Sequence, residues 1–391
     1  MDFQSSSKIL VSCPLKITPY LKLELVQLGF SISQESHTSI ETEGSLEDTI
    51  KLNLNLRTAN RVTFLVDQFT ANSPDELYEQ IKTKIYWENI IDIKGYFSVI
   101  SYTEHPSINN SMFVNQRCKD AIADYFLKKF NARPDSGPDK NKTVIYVYWK
   151  NNYVSVYLDT SGESLSKHGY RKIPFLAPMQ ESLAAALILA GNWDKNSPFI
   201  NPMCGSGTLA IEAALIAANR QNALLRTNYG FMHIKGYNES VYLEERKKIK
   251  EKVKSKLNFK ILATDNNPKA IEAAKQNAMT AGVDHLIEFK VCDFSETEIP
   301  PGNGVVMLNP PYGDRIGEEV ELEFIYTGIG DFFKRKCKGY TGYVFTGNPS
   351  LAKKIGLKTK RKIEFYNAKI ECRLLEFELY EGTRKRIKNE E

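Results

Sequence analysis

The 391-residue sequence is poor in cysteine and in long apolar runs, and each shortage narrows its class. Its six cysteines, Cys13, Cys118, Cys204, Cys292, Cys337 and Cys372, are widely separated, form no CxxC pair and have no histidine at metal-ligand spacing. That pattern excludes a disulfide-stapled scaffold, gives no sign of a metal site, and reads as reduced cytosolic thiols. No stretch of eighteen apolar residues occurs, and the start, MDFQSSSKILVSC, lacks the basic, apolar, small-residue order of a signal peptide. The expectation is a cytoplasmic chain with no membrane contact. No 20–50-residue repeat or low-complexity segment is visible. Neither sign of charge dominates, since 52 basic and 47 acidic side chains leave +5. With 42% hydrophobic and 25% charged residues, the composition is that of a globular enzyme rather than a disordered chain. The length calls for two or three domains.

The first seventy residues read as βαββαβ, the ferredoxin-like order. KILVSC is a strand, 17–29 a helix stopped by Gly29, FSISQE and HTSIETE strands, 45–59 a helix with Ser45 as cap, and RVTFLVDQF a strand. A second α+β unit follows. Ser73, Pro74 and Glu76 have capping-box spacing for a helix over 73–87. Then come the strand YFSVISY, a helix over 115–130, and a hairpin turning at Asn151-Asn152. Residues 159–178 mix Ser, Gly, Pro and basic clusters without periodicity, and the main boundary is placed there. From about 178, helices alternate with short apolar strands, which predicts an open, mostly parallel sheet covered by helices. Ligands in such sheets sit at the carboxyl ends of the strands.

Four strand ends carry chemistry. In NPMCGSGT (201–208), glycines at 205 and 207 let the backbone approach a ligand, and the helix from Thr208 offers free N–H groups. The spacing is not GxGxxG and no lysine follows, so nicotinamide and nucleoside-triphosphate sites lose ground. A tight turn that needs glycine explains the segment equally well. ILATD ends in Asp265, suited to two ribose hydroxyls or to capping the next helix together with Asn266. FKVCDF ends in Asp293 beside Phe294, either an acceptor for a purine amine with an apolar neighbour or a plain turn. VVMLNPPY ends in Asn309-Pro310-Pro311-Tyr312, where two prolines remove donors and leave carbonyl and amide acceptors. An exocyclic amine on a flat base can donate to them while Tyr312 stacks.

In that order, Asn201 to Thr208, Asp265, Asp293 and Asn309-Pro-Pro-Tyr312-Gly-Asp-Arg315 resemble the motifs of class I S-adenosylmethionine-dependent methyltransferases acting on exocyclic amines. The sequence is most similar to THUMP-domain RNA methyltransferases that form N2-methylguanosine, of the large-subunit ribosomal RNA methyltransferase L type. CKDAIAD (118–124) and the DTSG…HGYR run (159–171) extend the resemblance over nearly the whole chain. It implies a ferredoxin-like domain over 1–70, a THUMP domain over 71–160 and a single Rossmann-like catalytic domain over 161–391, its sheet seven-stranded and mostly parallel. It further implies S-adenosylmethionine as cofactor. Met203, Cys204, Gly205, Gly207 and Thr208 would wrap the methionine portion, with Asn201 and Asn309 beside it. Asp265 with Asn266 would hold the ribose, and Asp293 with Phe294 the adenine. Asn309 and Pro310, followed by Pro311, would accept from the guanine N2 amine, with Tyr312 stacking. Position 201 is usually Asp in this pattern, so Asn201 weakens the pull on the cofactor's ammonium.

The implied substrate is RNA, 23S ribosomal RNA before transfer RNA, for a monomer or weak dimer that uses no metal. A DNA adenine or protein glutamine methyltransferase, and a non-catalytic RNA-binding protein, are the rival readings. Arg117, Lys119, Lys128, Lys129, Arg133, Lys167, His168, Arg171, Lys172 and Arg315 are the candidate RNA contacts, with a merely solvated surface as the alternative reading. Residues 1–109 hold 9 basic and 14 acidic side chains, 110–172 hold 11 and 6, and 173–391 hold 32 and 27. The basic surplus begins at the THUMP-like helix, which casts the first unit as a spacer or structural partner.

Overall fold

The computed structural model describes residues 4–106, 108, 110–174, 179–313 and 319–380. Its first elements are β1 (Ser7–Ser12), α1 (Thr18–Gln27), β2 (Gln34–Glu35), β3 (Ser39–Gly44), α2 (Leu46–Asn55) and β4 (Arg61–Thr70). Next come α3 (Pro74–Lys84), β5 (Tyr96–Glu104), α4 (Ser111–Phe130), β6 (Asp135–Ser136), β7 (Thr143–Lys150) and β8 (Tyr153–Asp159). The later half holds α5 (Glu181–Ala190), β9 (Phe199–Pro202), α6 (Thr208–Ala217), α7 (Glu239–Glu251), β10 (Ile261–Asp265), α8 (Pro268–Ala281) and β11 (Ile287–Val291). It ends with β12 (Val305–Leu308), α9 (Glu319–Lys336), β13 (Thr341–Thr346), α10 (Pro349–Lys354), β14 (Arg361–Asn367) and β15 (Ile370–Glu378). Two compact units result: Met1–His168 with Gln221–Lys252, and Gly169–Arg220 with Val253–Glu391.

In the first unit, local capping sets the helix starts. Ser45 Oγ accepts from Asp48 N (3.1 Å) while the Asp48 carboxylate accepts from Ser45 N (2.8 Å), a complete capping box. Ser73 Oγ likewise accepts from Glu76 N (3.2 Å). The expected return bond goes elsewhere: Glu76 accepts from both Asn72 N (2.7 Å) and Asn72 Nδ2 (3.1 Å). All eight strands join in one sheet, ordered β2-β3-β1-β4-β8-β7-β5-β6. β4 pairs antiparallel with β8 from Thr63↔Asp159 to Thr70↔Tyr153, so the sheet continues past position 70 without an edge. Strand alternation buries Ile9, Val11, Val62, Phe64, Val156 and Leu158 in one layer and turns Leu10, Tyr102, Tyr146 and Tyr148 to the other face.

Residues 221–252 leave the later half and pack on this first unit, with α7 against α2. Backbone bonds fix the segment: Lys235 N to Ile90 O (2.9 Å) and Phe231 N to Thr160 O (3.0 Å). Gly230 sits so close that a Cβ there would lie 2.2 Å from Asp159 O. The bounds expected from the sequence, 161–391, count this segment with the catalytic domain. On α7, Tyr242 and Ile249 are buried while Glu244, Lys247 and Lys248 stay exposed.

The second unit is the expected mostly parallel, seven-stranded Rossmann-like sheet, ordered β11-β10-β9-β12-β13-β15-β14. β9 to β13 run parallel, β15 runs against them, and β14, antiparallel to β15, returns to the common direction. Its core gathers Ile200, Val306, Leu308, Tyr326, Phe333 and Val344 between sheet and helices. The carboxyl ends of β9, β10, β11 and β12 therefore lie along one edge of a single sheet. Among the described residues, no helix is long and apolar enough to cross a membrane, and no group of His, Cys, Asp and Glu is placed to hold a metal.

Candidate active site

Along that edge lies a cavity of about 700 Å³, lined from all four strand ends. Of the residues expected to hold a cofactor, Asn201, Met203, Cys204, Gly205, Thr208, Asp265, Asn266, Asp293, Phe294 and Asn309 line it; Gly207 does not. The loop after β9 is wound by three left-handed residues, Met203 (φ +53°), Gly205 (φ +55°) and Gly207 (φ +83°). A Cβ at Gly207 would lie 2.9 Å from Ala274 Cβ, so this glycine lets α6 begin against α8. Burial, and then the nearby Asp265, push the Cys204 thiol well above its ordinary range, an environment opposite to that of an activated thiolate.

Asn201 is 1% exposed; its Nδ2 donates to Met307 O (2.8 Å), while its Oδ1 has no partner. Asn309 Oδ1 is a second buried acceptor without one. Two unsatisfied oxygens in one cavity mark where donors of a ligand belong. Asp265 spends both oxygens on the backbone, accepting from Gly205 N (2.9 Å) and Asn267 N (3.0 Å). It thus ties the glycine loop to the end of β10, and each oxygen keeps a lone pair for a hydroxyl. The cap of α8 is Asn267, whose side chain accepts from Lys269 N (3.0 Å), so Asn266 does not share that task. Asp293 accepts from Ser295 N (2.9 Å) and Ser295 Oγ (2.6 Å) and starts a turn. That turn brings Phe294 edge-on to Phe332, at 6.1 Å between centroids, over the space left by Gly328.

Asn309, Pro310, Pro311 and Tyr312 all face the cavity. Three more lining residues, Asn367, Ala368 and Ile370, come from the turn of the β14–β15 hairpin, which the sequence did not suggest. Asn367 Nδ2 donates to the Tyr312 phenol oxygen (2.8 Å). Asn277, fully buried on α8, accepts from Lys172 N (2.9 Å) and Ile173 N (3.1 Å) and donates to Ile173 O (3.0 Å) and Ser206 O (3.2 Å). It clamps the glycine loop to the segment before α5, another residue that sequence spacing alone could not single out.

The candidate RNA contacts divide. His168 is 2% exposed, with Nε2 2.9 Å from Arg57 O, so it is a core residue and not a phosphate contact. Arg171 also points inward: it bonds Met179 O and Thr208 Oγ1 (3.0 Å) and pairs with the buried Glu181 (3.4 Å). Burial reserves both for packing, which base-rich sequence clusters do not reveal. Arg117 bonds Asp75 and covers the Tyr78 ring, and Lys129 pairs with Glu88 (2.6 Å). Lys128, Arg133, Lys167 and Lys172 are exposed and Lys119 is half-buried. Arg315 lies outside the described residues.

Residues 8–63 match the RlmL ferredoxin-like domain, 71–159 the THUMP domain, and 168–376 the RMKL-like methyltransferase domain. A ribosomal RNA large subunit methyltransferase K/L of Syntrophotalea carbinolica is 35% identical over 385 residues, which cover 96% of this chain and 54% of that protein. The chain spans about half the length of the curated relatives it matches. Among solved structures, SMU.472 complexed with SAH is 27% identical with a TM-score of 0.87, covering 97% of this chain and all of that one. A protein of Listeria monocytogenes described as a predicted N6-adenine-specific DNA methylase is 28% identical with a TM-score of 0.85, over 95% of this chain and 96% of that one. With more than half of its length matched by one domain, the chain belongs to the RMKL-like methyltransferase domain family.

Proposed function

We propose that this chain transfers a methyl group from S-adenosylmethionine to the exocyclic N2 amine of a guanosine in large-subunit ribosomal RNA. The observation that carries this reading is the pair of buried acceptors, Asn201 Oδ1 and Asn309 Oδ1, facing one cavity with no protein donor. The cavity also suits the cofactor in size and lining. Backbone turned outward at Met203 and Gly205 approaches the methionine portion, and Asn201 Oδ1 accepts from its ammonium. Asp265 takes the ribose hydroxyls, and Asp293 with Phe294 takes the adenine. Bound S-adenosylmethionine supplies an electrophilic methyl on a sulfonium, so no covalent enzyme intermediate is needed.

The protein's task is alignment of the amine with that methyl. The lone pair of guanine N2 is delocalised into the ring. Asn309 Oδ1 and the Pro310 carbonyl accept hydrogen bonds from the two amine N–H groups and favour a pyramidal nitrogen; its freed lone pair forms the N–CH3 bond as the S–CH3 bond breaks to leave the thioether, and the extra proton of the methylated amine passes to water. The two prolines supply no N–H to compete for those acceptors. Tyr312, steadied through Asn367, stacks on the base. Both lining carboxylates, Asp265 and Asp293, are engaged by backbone donors, consistent with electrostatic stabilisation rather than general-base catalysis.

The match of 71–159 to the THUMP domain favours RNA over DNA. The likeness to the Listeria protein favours adenine N6 in DNA instead, because Asn-Pro-Pro-Tyr acceptors suit that amine as well. Tritiated methyl transfer to pools of RNA, DNA and protein, followed by nucleoside mass spectrometry, decides between them. N2-methylguanosine in 23S ribosomal RNA is the expected product. Label confined to DNA, protein or transfer RNA would overturn the assignment.

A further inference from the structure

A second concavity of about 620 Å³ lies on the face of the eight-stranded sheet opposite its buried layer. It is built across both α+β halves of the first unit. Leu10 and Ser12 of β1, Ser39 and Glu41 of β3, and Arg61 and Thr63 of β4 form one side. Tyr102 of β5, Tyr146 and Tyr148 of β7, and Tyr157 of β8 form the other. Register explains the cluster: Tyr102 is aligned with Tyr148, and Tyr146 is aligned with Tyr157. Tyr102 and Tyr148 stack in parallel, 5.3 Å between centroids and 8° between planes, and Tyr102 is 47% exposed.

The charges around this floor are already spent. Glu41 pairs with Lys8 (3.2 Å), Arg61 with Asp159, and Glu104 with Lys150 (3.0 Å). Burial pushes the Tyr146 phenol up to about 12, so that ring stays neutral. A floor of aromatic faces with its ions neutralised suits a flat, uncharged ring and is a poor seat for a phosphate. The rim supplies hydroxyls and amides, from Ser12, Gln34, Ser36 and Thr38, that can read a base edge.

We propose that this tyrosine face holds an unpaired nucleobase of single-stranded RNA, a site separate from the methyl-transfer cavity and built jointly by the two α+β halves. The proposal rests on the RNA reading of the substrate. It also gives the first seventy residues a direct part in binding, beyond that of a spacer.

The test is fluorescence anisotropy of the full chain with a labelled ten-nucleotide single-stranded RNA and with a labelled RNA duplex, over a range of salt. Tyr102→Ala and Tyr148→Ala should each weaken single-strand binding about 10-fold, the range of one lost base stack. The salt slope should not change, because no phosphate contact is removed. Tyr148→Phe should bind as the wild type does, since the ring and not the hydroxyl does the stacking. Duplex binding and S-adenosylmethionine affinity should be unaltered in every variant, which also reports that they are folded. Wild-type single-strand affinity in both alanine variants, or a loss accompanied by a shallower salt slope, would overturn the tyrosine site alone. Failure of the wild type to bind either RNA would overturn the RNA reading along with it.

Discussion

Asn367 donates a 2.8 Å hydrogen bond to the phenol oxygen of Tyr312, joining the turn between β14 and β15 to the end of β12. The Tyr312 ring is thereby held from the hairpin of β14 and β15, and β15 is the strand that runs against the rest of the sheet. Asn367→Ala should lower kcat about 5- to 10-fold, as one hydrogen bond of about 1 kcal/mol implies. The S-adenosylmethionine dissociation constant should stay the same. A loss seen only in cofactor affinity, measured by calorimetry, would contradict a role through Tyr312.

Asn309→Ala removes an acceptor that the folded protein leaves without a partner, so little stability should be lost. Cofactor binding should be nearly intact, and methyl transfer should fall at least about 100-fold, the scale of losing one preorganised electrostatic group. Near-wild-type turnover on RNA would remove Asn309 from the reacting centre.

At Gly207 two costs combine, a left-handed backbone (φ +83°) and a Cβ 2.9 Å from Ala274 Cβ. Gly207→Ala should destabilise the second unit by about 2–4 kcal/mol. Urea unfolding monitored in that unit provides the check, and a change below about 0.5 kcal/mol would mean that α6 and α8 can separate freely.

Arg171 distinguishes a packing role from RNA contact. Arg171→Met removes the bonds to Met179 and Thr208 and strands the buried Glu181, so thermal stability and cofactor affinity should fall. The salt slope of RNA binding should not move. A slope reduced by about one would instead make Arg171 a phosphate ligand.

Glu24 gives the first unit a pH signature. Its carboxylate accepts from Arg57 N (2.9 Å) and Thr58 N (3.0 Å), yet burial holds its pKa above the ordinary 4.5. A carboxyl raised on folding stabilises fully below about 4.5, and that contribution is lost as pH rises through the folded value. The melting temperature should therefore decline across that window, and Glu24→Gln should flatten the decline. Parallel curves for the two proteins between about pH 4 and 8 would reject it.

What the sequence discloses follows from the range of the interactions involved. Helix starts at Pro74, Thr208 and Pro268 are set by neighbours a few residues away, and each is legible in the chain. The residues Asp265, Asp293 and Asn309 are legible for a similar reason, since each ends or follows a short apolar strand. Asn367 and Asn277 are not, because their partners Tyr312 and Ser206 lie 55 and 71 residues away. The buried states of His168 and Arg171 are hidden for the same reason: polar side chains among Ser, Gly and Lys read as surface until the elements over them are placed. The merging of eight strands into one sheet depends on β4 meeting β8, a pairing that no local pattern announces.

The excursion of residues 221–252 into the first unit means that the backbone passes between the two units three times, near 168, 220 and 252. A fragment ending at His168 would uncover the part of α2 that α7 packs on, and one beginning at Gly169 would carry α7 without its seat. One proteolytic nick at any of the three passages leaves the halves covalently joined. Inheritance of the pair is constrained in the same way: exchanging the first unit between relatives requires replacing two separate stretches of the gene at once.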